Sequence, residues 1–547
     1  ITEGFYNYWD NVLSNIPASA PVLIFRHNPG GDAYYTNENK ELKLWKKKNT
    51  VAIFCGHGHG YATGSIENIT WIETDGAVDN SAGAYTIVDV DTTNKKLTLY
   101  KKTPGQDAVY WTTIDFATPL NAPQITIVSP QENQTITSAS FNLTVTLDKD
   151  ATSGVYSIDG GTEYSLSGSG KNWSATVNTP SANGQHCLRV KMTMPDGRVF
   201  SEVVYFFSER SSYPKAVWRK ILSQPVMSSV VVKYGLVYLG CYDGKVYCYD
   251  LYTGNQIWSF SSVGNKPIHS SPEVVDGVVY IGSGDNRVYA IDAFNGSKIW
   301  EAVTDDALVA PPVVYDNYVF VGNINNKFYG INRSNGSILW TYSVGDAISA
   351  KALVYNGNIY FGCWDRYIYS LTLTGSLRWR KNPPEVTIKN YAPAVCQPYG
   401  YGGNIVWVNR KQWVDIYKED GTEVLRDFRR CYDSLGGSGD RFYIRSLDGD
   451  MRCFLMDGTT VWVGGSNVFS YDSSRGSIIE DEGVLYTGSV YGKVAAVNKN
   501  NGSIIWSYQA VSGEGKPPRG FMESTVGVQR GIVVSAGVKG IVSAVTN

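Results

Sequence analysis

Five histidines occur in the whole chain, and three of them, His27, His57 and His59, fall at just two points. His27 closes the apolar run Pro21-Val-Leu-Ile-Phe-Arg and is followed by Asn-Pro. His57 and His59 close the run Val51-Ala-Ile-Phe-Cys-Gly in the order Gly-His-Gly-His. Imidazole is a common ligand for zinc, manganese or iron, and two histidines one residue apart can face neighbouring metals. The other two histidines are expected to be structural: His186 precedes a strand, and His269 lies in a connecting loop. With the histidines so accounted for, no Ser/His/Asp triad can be assembled. There is also no Gly-x-x-x-x-Gly-Lys phosphate loop. The eight cysteines are scattered without a C-x-x-C pair. They read as small buried hydrophobes, with few or no disulfides.

Something must position the three histidines. Residues 21–26 and 51–55 have the apolar, β-branched character of buried strands. Between them, residues 39–48 place Leu42, Leu44 and Trp45 at partly helical spacing, with a basic end suited to a helix C-terminus. Strand, helix, strand, with histidine at both strand ends, is how open α/β sheets build sites. A β-rich tail follows at 69–73, 84–90 and 96–100.

This order resembles the C-terminal half of a calcineurin-like metallophosphoesterase domain. That family carries a strand-His-x-Pro motif, then a helix, a strand ending Gly-His-x-His, and a β-rich tail. The resemblance implies that His27, His57 and His59 bind metal in a centre of two divalent ions (Mn, Fe or Zn). Such a centre would hydrolyse a phosphomonoester or phosphodiester by clamping the phosphate and activating a bridging water. The family also uses an Asp-x-His motif, a bridging Asp and a Gly-Asn-His motif, and this sequence contains no Asp-x-His and no Asn-His. The missing ligands are expected upstream of Ile1 or on a separate N-terminal fragment, a partner that would complete the domain; the alternative is that the domain is a remnant, and the chain by itself is expected to be a poor enzyme.

The strongest repeat has a period of about 40 residues. In the unit 270–300, strands flank Asp276-Gly277, a hairpin turns near Gly284 and Asn286, and the last turn is Asn295-Gly296. These residues tolerate positive φ. The frame recurs at 230–258, 313–340, 353–379 and 478–506. Degenerate copies lie near 392–425 and 434–462. The last copy, 524–544, has three strands, and the fourth is available at 216–220. The count is eight blades, with the ring closed so that no sheet edge is left open at the seam.

Ala290-x-Asp292-x-x-x-Gly296-x-x-x-Trp300 resembles the tryptophan-docking motif of quinoprotein alcohol dehydrogenases, and Trp258, Trp340 and Trp506 match its final position. The resemblance implies a PQQ-like propeller in which the tryptophans pack between blades. Pyrroloquinoline quinone (PQQ) is not expected: there is no Cys-Cys pair and no identifiable ligand set for its calcium ion. Aromatics at the blade faces, Trp364, Tyr391, Tyr399 and Trp413, are equally explained by packing.

Between these parts, short alternating runs near 141–147, 154–158, 173–177, 187–192 and 203–207 suggest a β-sandwich. Their pattern resembles the Ig-like modules of secreted microbial proteins. The expected architecture is mainly β and multidomain. Residues 1–119 form the partial α/β metallophosphoesterase, 120–208 the Ig-like β-sandwich, and 214–547 the eight-bladed β-propeller. A net charge of −2 with only 18% charged residues leaves no basic footprint for nucleic acid. No apolar run is long enough for a membrane span, and the N-terminus does not read as a signal peptide. The companion modules nonetheless point to an extracellular or cell-surface, secreted protein. The leading function is an extracytoplasmic metal-dependent phosphoesterase whose propeller binds a protein or glycan. The alternatives are a non-catalytic surface or extracellular binding protein and, more remotely, a quinoprotein dehydrogenase.

Overall fold

The computed structural model describes seven strands in the first 115 residues, Asn94, and most of 122–546. Outside the description lie 1–20, 27–48, 57–61, 67–68, 75–84, 92–93, 95, 103–108, 116–121, 211–213, 382–395, 410–412, 427–428, 430, 432–434, 447–449, 465–477, 489–491, 511–525, 538–539 and 547. The described chain is almost entirely β, its one helical segment being a 3-10 turn at Val263–Asn265. It divides into two compact units, one reaching Arg210 and the other holding most of the remainder.

At the N-terminal end, Pro21–Arg26, Asn49–Gly56 and Ile69–Thr74 run parallel to one another, and Ala62–Ile66 joins antiparallel to the last. Parallel neighbours require a crossover connection of a dozen or more residues, which the interval 27–48 supplies in length. The helix expected at 39–48 lies outside the described residues. A separate antiparallel sheet follows, made of Tyr85–Asp91, Lys96–Lys102 and Val109–Asp115.

Next comes the β-sandwich. One sheet holds Ile125–Ser129, Ser140–Ala151 and Ser167–Asn178. The other holds Ser153–Ile158, Gly184–Thr193 and Val199–Ser208, with the short strands Thr135–Ile136 and Tyr164–Ser165. Each run read from the sequence lies inside one of these strands. Alternation directs Leu143, Val145, Trp173 and Val177 from one sheet, and Leu188, Val190, Met192 and Phe206 from the other, into one buried core.

The second unit is a ring of eight four-stranded sheets. Blade one joins Lys215–Ile221 to Gly527–Gln529, Ile532–Ala536 and Ile541–Thr546. Blades two to five begin at Val231–Lys233, Glu273–Val275, Val313–Tyr315 and Leu353–Tyr355. Blades six to eight begin at Tyr399–Tyr401, Leu435–Ser438 and Ile479–Asp481. These innermost strands neighbour one another all the way round, including blade eight to one and one to two. The expected closure by residues 216–220 is realised by antiparallel pairing of Lys215–Ile221 with Ile541–Thr546.

Candidate functional site

The two histidine-bearing strand ends can be followed to their last described residues. Arg26 pairs with Cys55 in parallel register, so the chain leaves both strands at the same edge of the sheet. His27, His57 and His59 themselves lie outside the described residues. Among the described residues, no group of three or more His, Cys, Asp or Glu is arranged to hold a metal ion.

In the propeller the tryptophans have a definite task. The indole N–H of Trp218, Trp258 and Trp300 donates to the carbonyl of Leu251, Ala293 and Arg333, at 2.7, 2.9 and 2.8 Å, each acceptor in the next blade. Trp340, Trp379 and Trp462 repeat the contact on Leu373, Glu419 and Lys499 at 3.0, 2.9 and 2.9 Å. Each ring also lies on the turn glycine of that next blade. A Cβ on Gly336, whose φ is +76°, would come within 2.7 Å of the Trp300 ring. Glycine is required there twice over, for the left-handed backbone and for the close approach. The indoles are thus engaged in packing between blades.

A second network recurs at the opposite end of blades two to five. The tyrosine hydroxyl donates to a carboxylate four residues earlier in Tyr247–Asp243, Tyr289–Asp285 and Tyr369–Asp365, at 2.7, 2.5 and 2.6 Å. Burial, and then the bonded carboxylate, raises the pKa of each of these tyrosines, keeping the hydroxyl protonated as donor. Blade four has Asn325 at the carboxylate position, and Asp305 from the preceding loop reaches Tyr329 instead, at 2.5 Å. Burial works against the Asp305 charge. Lys327, Tyr329 and Asn323 overcome it and hold the carboxyl down to about 2. The Asp-x-x-x-Tyr spacing was present in the sequence as a signal for this network but does not emerge from the hydrophobic repeat.

Blades one and eight have Ser543 and Ala495 at the tyrosine position, and blades six and seven break the pattern with charged residues. At the tyrosine position stand Asp415, which faces Trp407 across the strand pair, and Arg452, which faces Ile444. Asp415 is fully buried and accepts from Asn409 at 2.9 Å. Arg452 pairs with Asp450 at 3.1 Å. Arg445, also buried, donates to the Gly488 carbonyl at 2.8 Å. Each of these groups has its own polar partner, so the degenerate copies carry charge and hydrogen bonding where blades two to five carry the tyrosine.

Of the face aromatics named from sequence, Trp364 donates to Ser349 Oγ at 2.9 Å and Tyr399 to the Gly439 carbonyl at 2.9 Å. Trp413 is half-buried, and Tyr391 lies outside the described residues. The more exposed rings are elsewhere: Tyr234, Tyr252, Phe294, Tyr315 and Tyr401 are 40–54% exposed. All five sit at the end of the blades where the first strand turns into the second and the third into the fourth. Tyr234 and Phe294 touch, with centroids 5.6 Å apart. Cys187, Cys241, Cys248, Cys363, Cys396, Cys431 and Cys453 are buried. Burial raises the thiol pKa of Cys241 and Cys248, each to about 12. His269 is half-buried against the Tyr242 ring, 4.8 Å between centroids, and its pKa is lowered by burial.

Comparison with known proteins follows these divisions. A family profile described as bacterial Ig domain matches residues 123–190. No metallophosphoesterase family is detected in the chain, and no curated protein matches it. Among solved structures, BamB from Moraxella catarrhalis aligns with 61% of this chain and 100% of its own, at 17% identity and a TM-score of 0.49. The computationally designed Ika8 protein aligns with 59% of this chain and 97% of its own, at 14% identity and a TM-score of 0.49. The quinohemoprotein alcohol dehydrogenase of Comamonas testosteroni aligns with 62% of this chain and 78% of its own, at 12% identity and a TM-score of 0.47. The profile described as outer membrane protein assembly factor BamB matches 171–347, 296–406 and 364–546, which together span more than half of the 547 residues. The chain belongs to that BamB-type family of PQQ-like repeat proteins.

Proposed function

We propose that this is an extracytoplasmic binding protein, periplasmic or surface-associated, in which a propeller of residues 214–547 presents a platform to a protein partner. The observation that carries this is the aromatic end of the ring, where Tyr234, Tyr252, Phe294 and Tyr315 are 40–54% exposed on consecutive blades. Large exposed rings gathered at one end of a propeller are suited to partner contact. Among the described residues, six tryptophans are engaged between blades and four tyrosines are bonded to carboxylates within them. The family's description as an assembly factor, and the bacterial Ig domain beside it, fit the same reading. The Ig-like sandwich of 120–208 would act as a spacer. The test is affinity capture from the native cells with full-length protein and with a Tyr234→Ser/Tyr252→Ser/Phe294→Ser variant. Specific partners should be captured by the first and lost by the second while its thermal unfolding is unchanged. Capture unaltered by the triple substitution overturns the proposal.

A second function, phosphoester hydrolysis by residues 1–119, is favoured by one observation. The strands that lead into His27 and His57 are parallel neighbours, with Arg26 opposite Cys55. In this reading those histidines with His59 would bind two divalent ions. Manganese-dependent hydrolysis of an aryl phosphodiester by native protein, abolished in His57→Ala and by chelator, would support it. Equal turnover in that variant would remove it.

A further inference from the structure

His186 opens a different possibility, in the sandwich. It lies near the start of the strand Gly184–Thr193 and is 7% exposed. Its Nδ1 is 2.6 Å from Asp159 Oδ2, and its Nε2 is 3.1 Å from the carbonyl oxygen of Ala182. A neutral imidazole has one N–H and one lone pair, whereas the imidazolium has two N–H groups. An ionised carboxylate and a carbonyl can only accept. Both bonds are therefore made together only by the charged ring. Either neutral tautomer turns a lone pair towards an oxygen. We propose that His186 is a proton-operated clasp on the 179–183 loop, closed while the ring is charged and released when the proton is lost.

What the clasp holds gives it a consequence. Within the same unit, Ser208 Oγ donates to the Pro180 carbonyl and Arg210 to the Thr179 carbonyl, each at 2.6 Å. Ser208 ends the strand Val199–Ser208, so the clasped loop also anchors the segment by which the chain leaves the sandwich. The other oxygen of Asp159 accepts the Cys187 N–H at 2.9 Å, which fixes the carboxylate against the strand that carries the histidine. From the exit strand the ring meets Phe206, with centroids 5.7 Å apart. Asp159 is the one charged group among the described residues whose field acts on it. Burial opposes the charge on the ring. The hydrogen bond and field of Asp159, with the Ala182 carbonyl, outweigh it and raise the pKa.

The experiment uses the full chain. The histidine C2–H resonances are titrated by NMR, with His186→Gln identifying the resonance. Hydrogen–deuterium exchange of the 179–186 peptide is followed over the same range, corrected for the intrinsic pH dependence. His186 should titrate above the ordinary value of about 6.5. Corrected exchange of the loop should rise about tenfold on crossing that titration, while the 141–147 strand stays protected. In Asp159→Asn the titration should fall and the pH step in exchange should vanish. In His186→Gln, which needs no proton, the step should also be absent. Titration of His186 at or below the ordinary value, or loop exchange with no pH step in the wild-type chain, overturns the proposal.

Discussion

Among the described residues of the propeller one contact is made six times, an indole N–H onto the carbonyl of the next blade with the ring pressed on a turn glycine. In the sandwich a single imidazole between two acceptors joins the Ser208 and Arg210 contacts in holding the 179–183 loop. The first arrangement is redundant and indifferent to pH, since neither indole nor carbonyl titrates. The second is unique and conditional on a proton. Repetition suits a rigid platform, while a lone charged contact suits a joint whose strength can vary.

The strongest way to break this comparison is to remove one indole. Trp300→Ala should destabilise the propeller by about 3–5 kcal/mol, measured by urea unfolding of the full-length protein. If the contact is equivalent round the ring, Trp258→Ala should cost a similar amount. A negligible cost at either position would mean the seams are held by the strand-face cores alone. Gly336→Val tests the same seam from its other side. With φ at +76° and a Cβ within 2.7 Å of Trp300, the added side chain should cost about 1–3 kcal/mol. A neutral result would show that the turn can move away from the indole.

Within a blade, Tyr289→Phe removes only the hydroxyl bonded to Asp285. A loss of about 1 kcal/mol is expected in the same unfolding assay. In blade four, Asp305→Asn should have an effect of the same sign by weakening the contacts to Tyr329 and Lys327.

The smallest effect carries the sharpest contrast, because two histidines should act with opposite sign. The pKa of His186 is raised on folding, so its contribution is fully present below about 6.5 and is lost as pH rises through the folded value. The pKa of His269 is lowered by burial, so its contribution is present above that range and is lost as pH falls through the folded value. Hydrogen exchange resolved by region between about pH 5 and 9 should show sandwich protection falling with rising pH and propeller protection falling with acid. A common direction in both regions would end the comparison.

Much of the fold was legible because its determinants are local. The turn Asp276-Gly277 takes φ of +50° and +73°, as such residues allow, and neighbouring apolar residues alternate into strands. The degenerate blades were also legible as degenerate copies of the repeat, and in them Asp415 and Arg452 stand where blades two to five have tyrosine. The N-terminal histidine motif was equally visible in the sequence. Its three histidines lie outside the described residues, which there comprise the strands on either side of it. Trp413 and Tyr399 illustrate the limit from the other side: a large aromatic near a turn reads the same whether it packs or protrudes.

The sequence by itself determined the repeat, its turns and the supply of a closing strand, because backbone preference and side-chain alternation act over a few neighbours. Only the tertiary structure decided which carbonyl receives each indole, since Trp300 and its acceptor Arg333 are 33 residues apart and belong to different blades. It alone joined Lys215–Ile221 to Ile541–Thr546. It alone also made His186 a charged clasp, because Asp159, 27 residues away, reaches the ring only when the sandwich brings its strands together. A hydrogen bond depends on where two groups meet in space, and spacing along the chain does not specify that meeting.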